Sequence, residues 1–78
     1  MPTILRIGPY RFFFYSSDAG EPIHVHVERD EKVAKFWLAP VSTARDGGFS
    51  NREPHEIKQL IGDNEVVLTE AWNEYFGT

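Results

Sequence analysis

Two histidines and a carboxylate stand in alternate positions in His24-Val25-His26-Val27-Glu28, and these are the residues of the chain best suited to chemistry. On an extended strand, positions i and i+2 share a face with Cα atoms roughly 6.5–7 Å apart, so two imidazoles there can converge on one ion or one substrate. Two chemistries use that set. Two His with a carboxylate suit Zn²⁺ or Fe²⁺ when further groups complete the shell. Two His with a neighbouring cation suit metal-independent RNA cleavage, which needs a base for the 2′-hydroxyl, an acid for the leaving oxygen and a positive charge for the phosphate. For the metal, the candidate ligands are His24, His26 and Glu28, or His55 in place of Glu28, although nothing in the sequence places His55 nearby. However, Glu28 sits about 13 Å of strand beyond His24, so neither a metal nor any other cofactor is expected. For acid–base work the catalytic candidates are His24, His26 and Lys35, with Arg29 or Arg11 as further cations and Trp37 as a platform on which a base could stack. The plain alternative is a solvated sheet face carrying two histidines and ordinary surface charges. Whether the chain is an enzyme stays open on these residues alone.

Weaker features complete the inventory. Arg45 and Arg52 flank the loop Asp46-Gly47-Gly48 and could bind an anion at the start of the helix that follows, where free N–H groups point outward. That loop lacks the lysine and the spacing of a phosphate-binding fingerprint. Ser42, Thr43 and Ser50 have no His/Asp arrangement that would make one of them a nucleophile.

The elements that must hold these residues can be read from periodicity. Thr3 to Ile7 is a short strand stopped by Gly8-Pro9, and Tyr10 to Tyr15 is a second, aromatic one. Ser16 to Gly20 is turn chemistry. Ile23, Val25 and Val27 alternate with His24, His26 and Glu28, and Val33 to Leu38 answers with Ala34, Phe36 and Leu38 on one face. A tip at Asp30-Glu31 sets Val25 against Phe36 and His26 against Lys35, and a one-residue slip would expose every apolar side chain. Pro40 closes that strand. Ser50 with Glu53 matches a capping box, Phe49 a hydrophobic staple, and Ile57, Leu60 and Ile61 form a helical stripe ending at Gly62. A second helix, begun by Asp63 or Asn64, carries Leu68, Ala71, Trp72, Tyr75 and Phe76 and stops at Gly77.

The predicted fold is therefore α+β: an antiparallel sheet of about four strands in hairpins, then a C-terminal αα-hairpin packed on one face. Residues 1–78 form a single domain, with the sheet half at about 3–40 and the helical half at about 50–77. Six Phe, three Tyr and two Trp give so short a chain the bulk for a core without staples. The absence of cysteine excludes disulfides, thiolate metal sites and a thiol nucleophile. The net charge of −4 is uneven, with seven Lys/Arg against six acids through residue 52 and one Lys against six acids beyond it. That balance disfavours nonspecific nucleic-acid binding, although the sheet half leaves RNA as a candidate substrate. The longest apolar run, Phe12 to Tyr15, is far too short to span a bilayer and no leader is evident, so the expectation is a cytoplasmic protein without a membrane partner.

Four motifs in order resemble the small bacterial domain-of-unknown-function family 4160. They are Pro22-Ile23-His24-Val25-His26-Val27, Phe36-Trp37-Leu38-Ala39-Pro40, Gly48-Phe49-Ser50-Asn51-Arg52-Glu53 and Ala71-Trp72-Asn73-Glu74-Tyr75-Phe76. The family's core pattern falls on Pro22, His24, His26 and Val27, while Pro54 stands where an aliphatic residue is usual. The resemblance implies a toxin-like or regulatory component of a two-gene toxin–antitoxin module with a small antitoxin-like partner protein, and no family chemistry; the residues themselves make the His24/His26 face the candidate active or binding surface. Three versions follow: an RNA-cleaving hydrolase, a non-catalytic protein-interaction module, and a divalent-metal-binding domain.

Overall fold

A computed structural model describes residues 3–50 and 52–77. Five strands run as an antiparallel meander, each hydrogen-bonded to the next: β1 (Thr3–Ile7), β2 (Tyr10–Phe13), β3 (His24–Arg29), β4 (Lys32–Leu38) and β5 (Val41–Arg45). Two helices follow, α1 (Glu53–Asp63) and α2 (Glu65–Phe76). Between β2 and β3 the chain makes a one-turn 3₁₀ strap, Ser16–Gly20.

The β3–β4 hairpin has the register that the alternation demands. Val27 faces Ala34, Val25 faces Phe36, His26 faces Lys35 and His24 faces Trp37. Arg29 pairs with Lys32, so Asp30-Glu31 is a two-residue turn, and Asp30 takes the left-handed φ of 55° that such a turn asks of a short polar residue. Phe12 of β2 continues the apolar row across from Val27. Phe12, Phe14, Val25, Val27, Ala34, Phe36 and Leu38 form one buried cluster with Ile57 and Ile61 of α1 and Leu68 and Trp72 of α2. The helices therefore cover the valine face, and Ile23 packs at its margin.

The sheet is one strand larger than the predicted four. After a turn through the cis Ala39–Pro40 peptide, Val41–Arg45 returns along β4, so the sheet extends to residue 45 rather than 40. Pro40 ends β4 but opens the turn into β5. The β5 sequence Val-Ser-Thr-Ala-Arg is small and polar because its outer residues are exposed at a sheet edge.

The helical half also differs in detail. Helix α1 begins at Glu53, with Pro54 in its first turn, where a missing N–H costs nothing. Ser50 does not cap it through its side chain; its carbonyl accepts from the Glu53 N–H, and its hydroxyl lies 3.4 Å from the Glu53 carboxylate. Asn51 of the predicted helix-start motif lies outside the described residues. Gly62 remains helical, and the chain turns instead at Asn64, whose side-chain amide donates to the Leu60 carbonyl at 2.8 Å. Gly77 ends α2 in the left-handed region, as expected of a helix-terminating glycine.

Gly47 and Gly48 both have positive φ, 64° and 86°. They differ in space: a Cβ on Gly47 would run into the Val33 carbonyl, whereas one on Gly48 would meet nothing. Gly48→Ala should therefore cost only the backbone penalty, about 1 kcal/mol. Gly47→Ala should cost clearly more, because β4 must also give way. Urea unfolding of the two variants checks the order.

Candidate functional site

The second face of the β3–β4 hairpin carries His24 and His26, and it is not solvated. His24 is fully buried and His26 is 3% exposed. The reason lies in the strap. It folds back over the hairpin and inserts Asp18, itself 5% exposed, between the two imidazoles. Phe13 stacks on His26 with ring centres 5.5 Å apart, and Tyr15 meets the same ring edge-on at 4.5 Å. Trp37 and Trp72 close around His24, at 5.6 and 5.2 Å.

Hydrogen bonds fix the centre. The Asp18 carboxylate accepts from the Tyr15 backbone N–H at 2.8 Å and from His26 Nε2–H at 3.0 Å through the same oxygen, Oδ2. Its other oxygen, Oδ1, is 3.2 Å from His24 Nε2, close enough for an ion pair but off the line that a hydrogen bond needs. His24 Nδ1 lies 2.8 Å from the Pro22 carbonyl, which can only accept, so Nδ1 carries the proton of that bond. His26 Nδ1 is also buried without a partner.

Protonation follows from these contacts. Burial alone would raise the Asp18 pKa, but the Tyr15 N–H and the two imidazoles together outweigh it and lower it below the usual carboxylate value. His26 is lowered too, because burial disfavours its charged form more than Asp18 favours it. The centre is thus an ionised carboxylate held by the Tyr15 N–H and His26 in a closed space, where unpaired polar atoms are costly.

The other predicted site residues do not reach Asp18: Lys35 and Trp37 border the centre across the hairpin, and the rest lie outside it. Glu28 is paired with Arg11 at 2.8 Å, so the carboxylate that joins the histidines is Asp18. Lys35 reaches Glu21 at 2.6 Å and lies over the Trp37 ring at 4.6 Å; that bond holds the Glu21 carboxyl below its usual pKa. Trp37 is half-buried beside His24 and is not a free stacking platform. Arg29 binds Glu53 at 3.0 Å, at the start of α1, and has no part in the centre. The Glu53 carboxylate also accepts from the Tyr10 hydroxyl, whose pKa rises through burial and that neighbouring charge. Arg45 and Arg52 are exposed, and the first turn of α1 holds Glu53 and Glu56, so the helix start offers an anion two negative charges. His55 sits on the outside of α1, in shallow grooves with Gln59 and Lys58.

Asp18 is the member of this centre that the sequence did not reveal. The only signal was an acid six and eight residues before the two histidines, inside a stretch otherwise typical of a solvated turn. Among the described residues no helix is long and apolar enough to cross a membrane. The sequence model of a domain of unknown function, DUF4160, matches residues 10–73, which include the strap, both histidines and both helices to Asn73. No curated protein and no solved structure matches the chain.

Asp18→Ala removes the acceptor for two donors and should destabilise the fold by about 3 kcal/mol, most of it from leaving those donors buried and unpaired. The pH dependence has a definite sign. His26 has a folded pKa below its ordinary 6.5, so its contribution is present above that value and is lost as pH falls. Asp18 is lowered from 3.8, so a second loss follows as pH drops below that value. Urea midpoints in chelator-containing buffer should fall from pH 7.5 to 5.5 and again toward pH 3, and Asp18→Asn should shrink the second fall, leaving the smaller part due to Glu21.

Proposed function

The chain belongs to the DUF4160 family of domains of unknown function, and from that premise we propose that it works as the regulatory or toxin-like member of a two-gene pair in the cytoplasm, acting by binding a small partner protein rather than by cutting RNA. One observation carries the reading: both imidazoles are closed off by the strap. A general base must touch the proton it takes, and neither histidine offers a nitrogen to a 2′-hydroxyl. The protein's acidic balance points the same way.

What the centre does instead is hold the strap in one shape. Asp18 is the strap's single buried residue, while Tyr15, Ser16, Ser17, Ala19 and Gly20 are exposed around it. A rigid aromatic ring amid small, hydrogen-bonding residues is the composition that protein-recognition loops favour, since it gives contact area at low entropic cost. The Glu21–Lys35 pair ties the far end of the strap to β4.

The test uses the product of the neighbouring reading frame, co-expressed and purified with this chain. Wild type should retain that protein. Ser17→Arg or Tyr15→Ala should weaken the complex at least tenfold, whereas Val66→Lys, on an exposed part of α2, should not. Induced expression should leave cellular RNA intact. RNA cleavage by wild type that His26→Gln abolishes in a folded protein would overturn the reading in favour of the ribonuclease.

A further inference from the structure

We infer that Asp18, His24 and His26 form a binding site for one divalent first-row transition ion, of which Zn²⁺ is the representative. The site stands whether or not the strap meets a partner. One ligand atom from each residue lies within 4.8 Å of the others, and the carboxylate oxygens are 3.0 and 3.2 Å from the two Nε2 atoms. Zinc bonds of about 2.0–2.1 Å place tetrahedral donor atoms about 3.3 Å apart, so each imidazole nitrogen is already about one donor–donor spacing from the carboxylate.

His24 is the stronger part of the case. Its Nδ1–H donates to a backbone carbonyl, the arrangement by which metal-ligating histidines fix their ring and present the other nitrogen as a lone pair. That nitrogen, Nε2, is fully buried and lies 3.2 Å from Asp18 Oδ1 without a well-aligned hydrogen bond to it. A cation between the two atoms would bond to both. When His26 ligates through Nε2, the proton it now gives to Asp18 leaves to solvent, as metal binding to imidazole requires.

The donor set decides the class of ion. Two imidazole nitrogens and one carboxylate oxygen suit Zn²⁺, Fe²⁺ or Co²⁺ rather than Mg²⁺, which prefers oxygen donors. The sequence reading set the metal aside because Glu28 lies too far along β3. Asp18 supplies the carboxylate from a different element. It arrives on a strap of only five residues, so little structure has to move for an ion to reach the centre.

The experiment is titration of the full, metal-stripped chain with Zn²⁺, Co²⁺ or Mg²⁺. The expected result is one equivalent of Zn²⁺ or Co²⁺ bound, none of Mg²⁺, and a Tm raised by roughly 10 °C or more at a hundredfold excess over Kd. Co²⁺ should give visible d–d absorption. His24→Gln and Asp18→Asn should each weaken binding at least tenfold, while His55→Gln leaves it unchanged. Because those variants remove contacts that support the fold, X-ray absorption of the Zn²⁺-loaded wild type provides a test that needs no mutation. Two imidazoles in the first shell support the site, since the chain has three histidines and His55 is outside the centre. No saturable uptake by the folded wild type overturns the inference, as does uptake through a single imidazole or binding that only His55→Gln removes. A proton held between Asp18 and His24, with no ion taken up, would likewise end it.

Discussion

A single carboxylate ties the two faces of this small protein together. Asp18 is drawn into the interior by the Tyr15 N–H and by two imidazoles, and in reaching them it pulls the strap down over the outer face of the hairpin. Asp18 joins a set of rings already packed on the histidines, Phe13 and Tyr15 on His26 and Trp37 and Trp72 on His24. The opposite face is held by ordinary apolar burial against α1 and α2. One side of the sheet is therefore stabilised by hydrophobic area and the other by a compact polar centre.

That division explains how a chain of 78 residues has two covered sheet faces. The helices suffice for one layer. A third layer of helix would demand a longer chain, and the strap replaces it with five residues and one buried charge. The arrangement depends on polar satisfaction, since a buried carboxylate left unpaired is far worse than an apolar side chain in its place. It is nearly satisfied. One atom left over is His24 Nε2, buried against Asp18 without a hydrogen bond, and it is one that the proposed ion would engage.

Much of this was legible in the residues. Alternation in 23–28 and 33–38 determined the β3–β4 register, the Asp30-Glu31 turn and the identity of the core face, because period-two patterning leaves only one pairing that buries Val25, Val27 and Phe36 together. The stripe Leu68, Ala71, Trp72, Tyr75 and Phe76 identified the buried side of α2 for the same reason, except that Tyr75, at the edge of that stripe, is exposed. Strand β5 escaped notice because Ser42, Thr43 and Ala44 carry no apolar pattern and Pro40 suggests an ending. The burial of His24 and His26 escaped too: alternation separates the two faces of a sheet but does not say whether the polar one meets water or a neighbouring loop. Asp18 was illegible for a related reason, as its role depends on where the strap folds back and not on any spacing within it.

The most direct test of the account is the state of the three histidine rings in the metal-free chain, read from long-range ¹H–¹⁵N spectra of their side chains. The structure requires His24 to carry its proton on Nδ1, bonded to Pro22, and His26 to carry one on Nε2, bonded to Asp18. Both protons should exchange slowly with solvent, while those of exposed His55 exchange fast. Identical, rapidly exchanging spectra from all three rings would contradict the account, because no closed Asp18 centre could then exist.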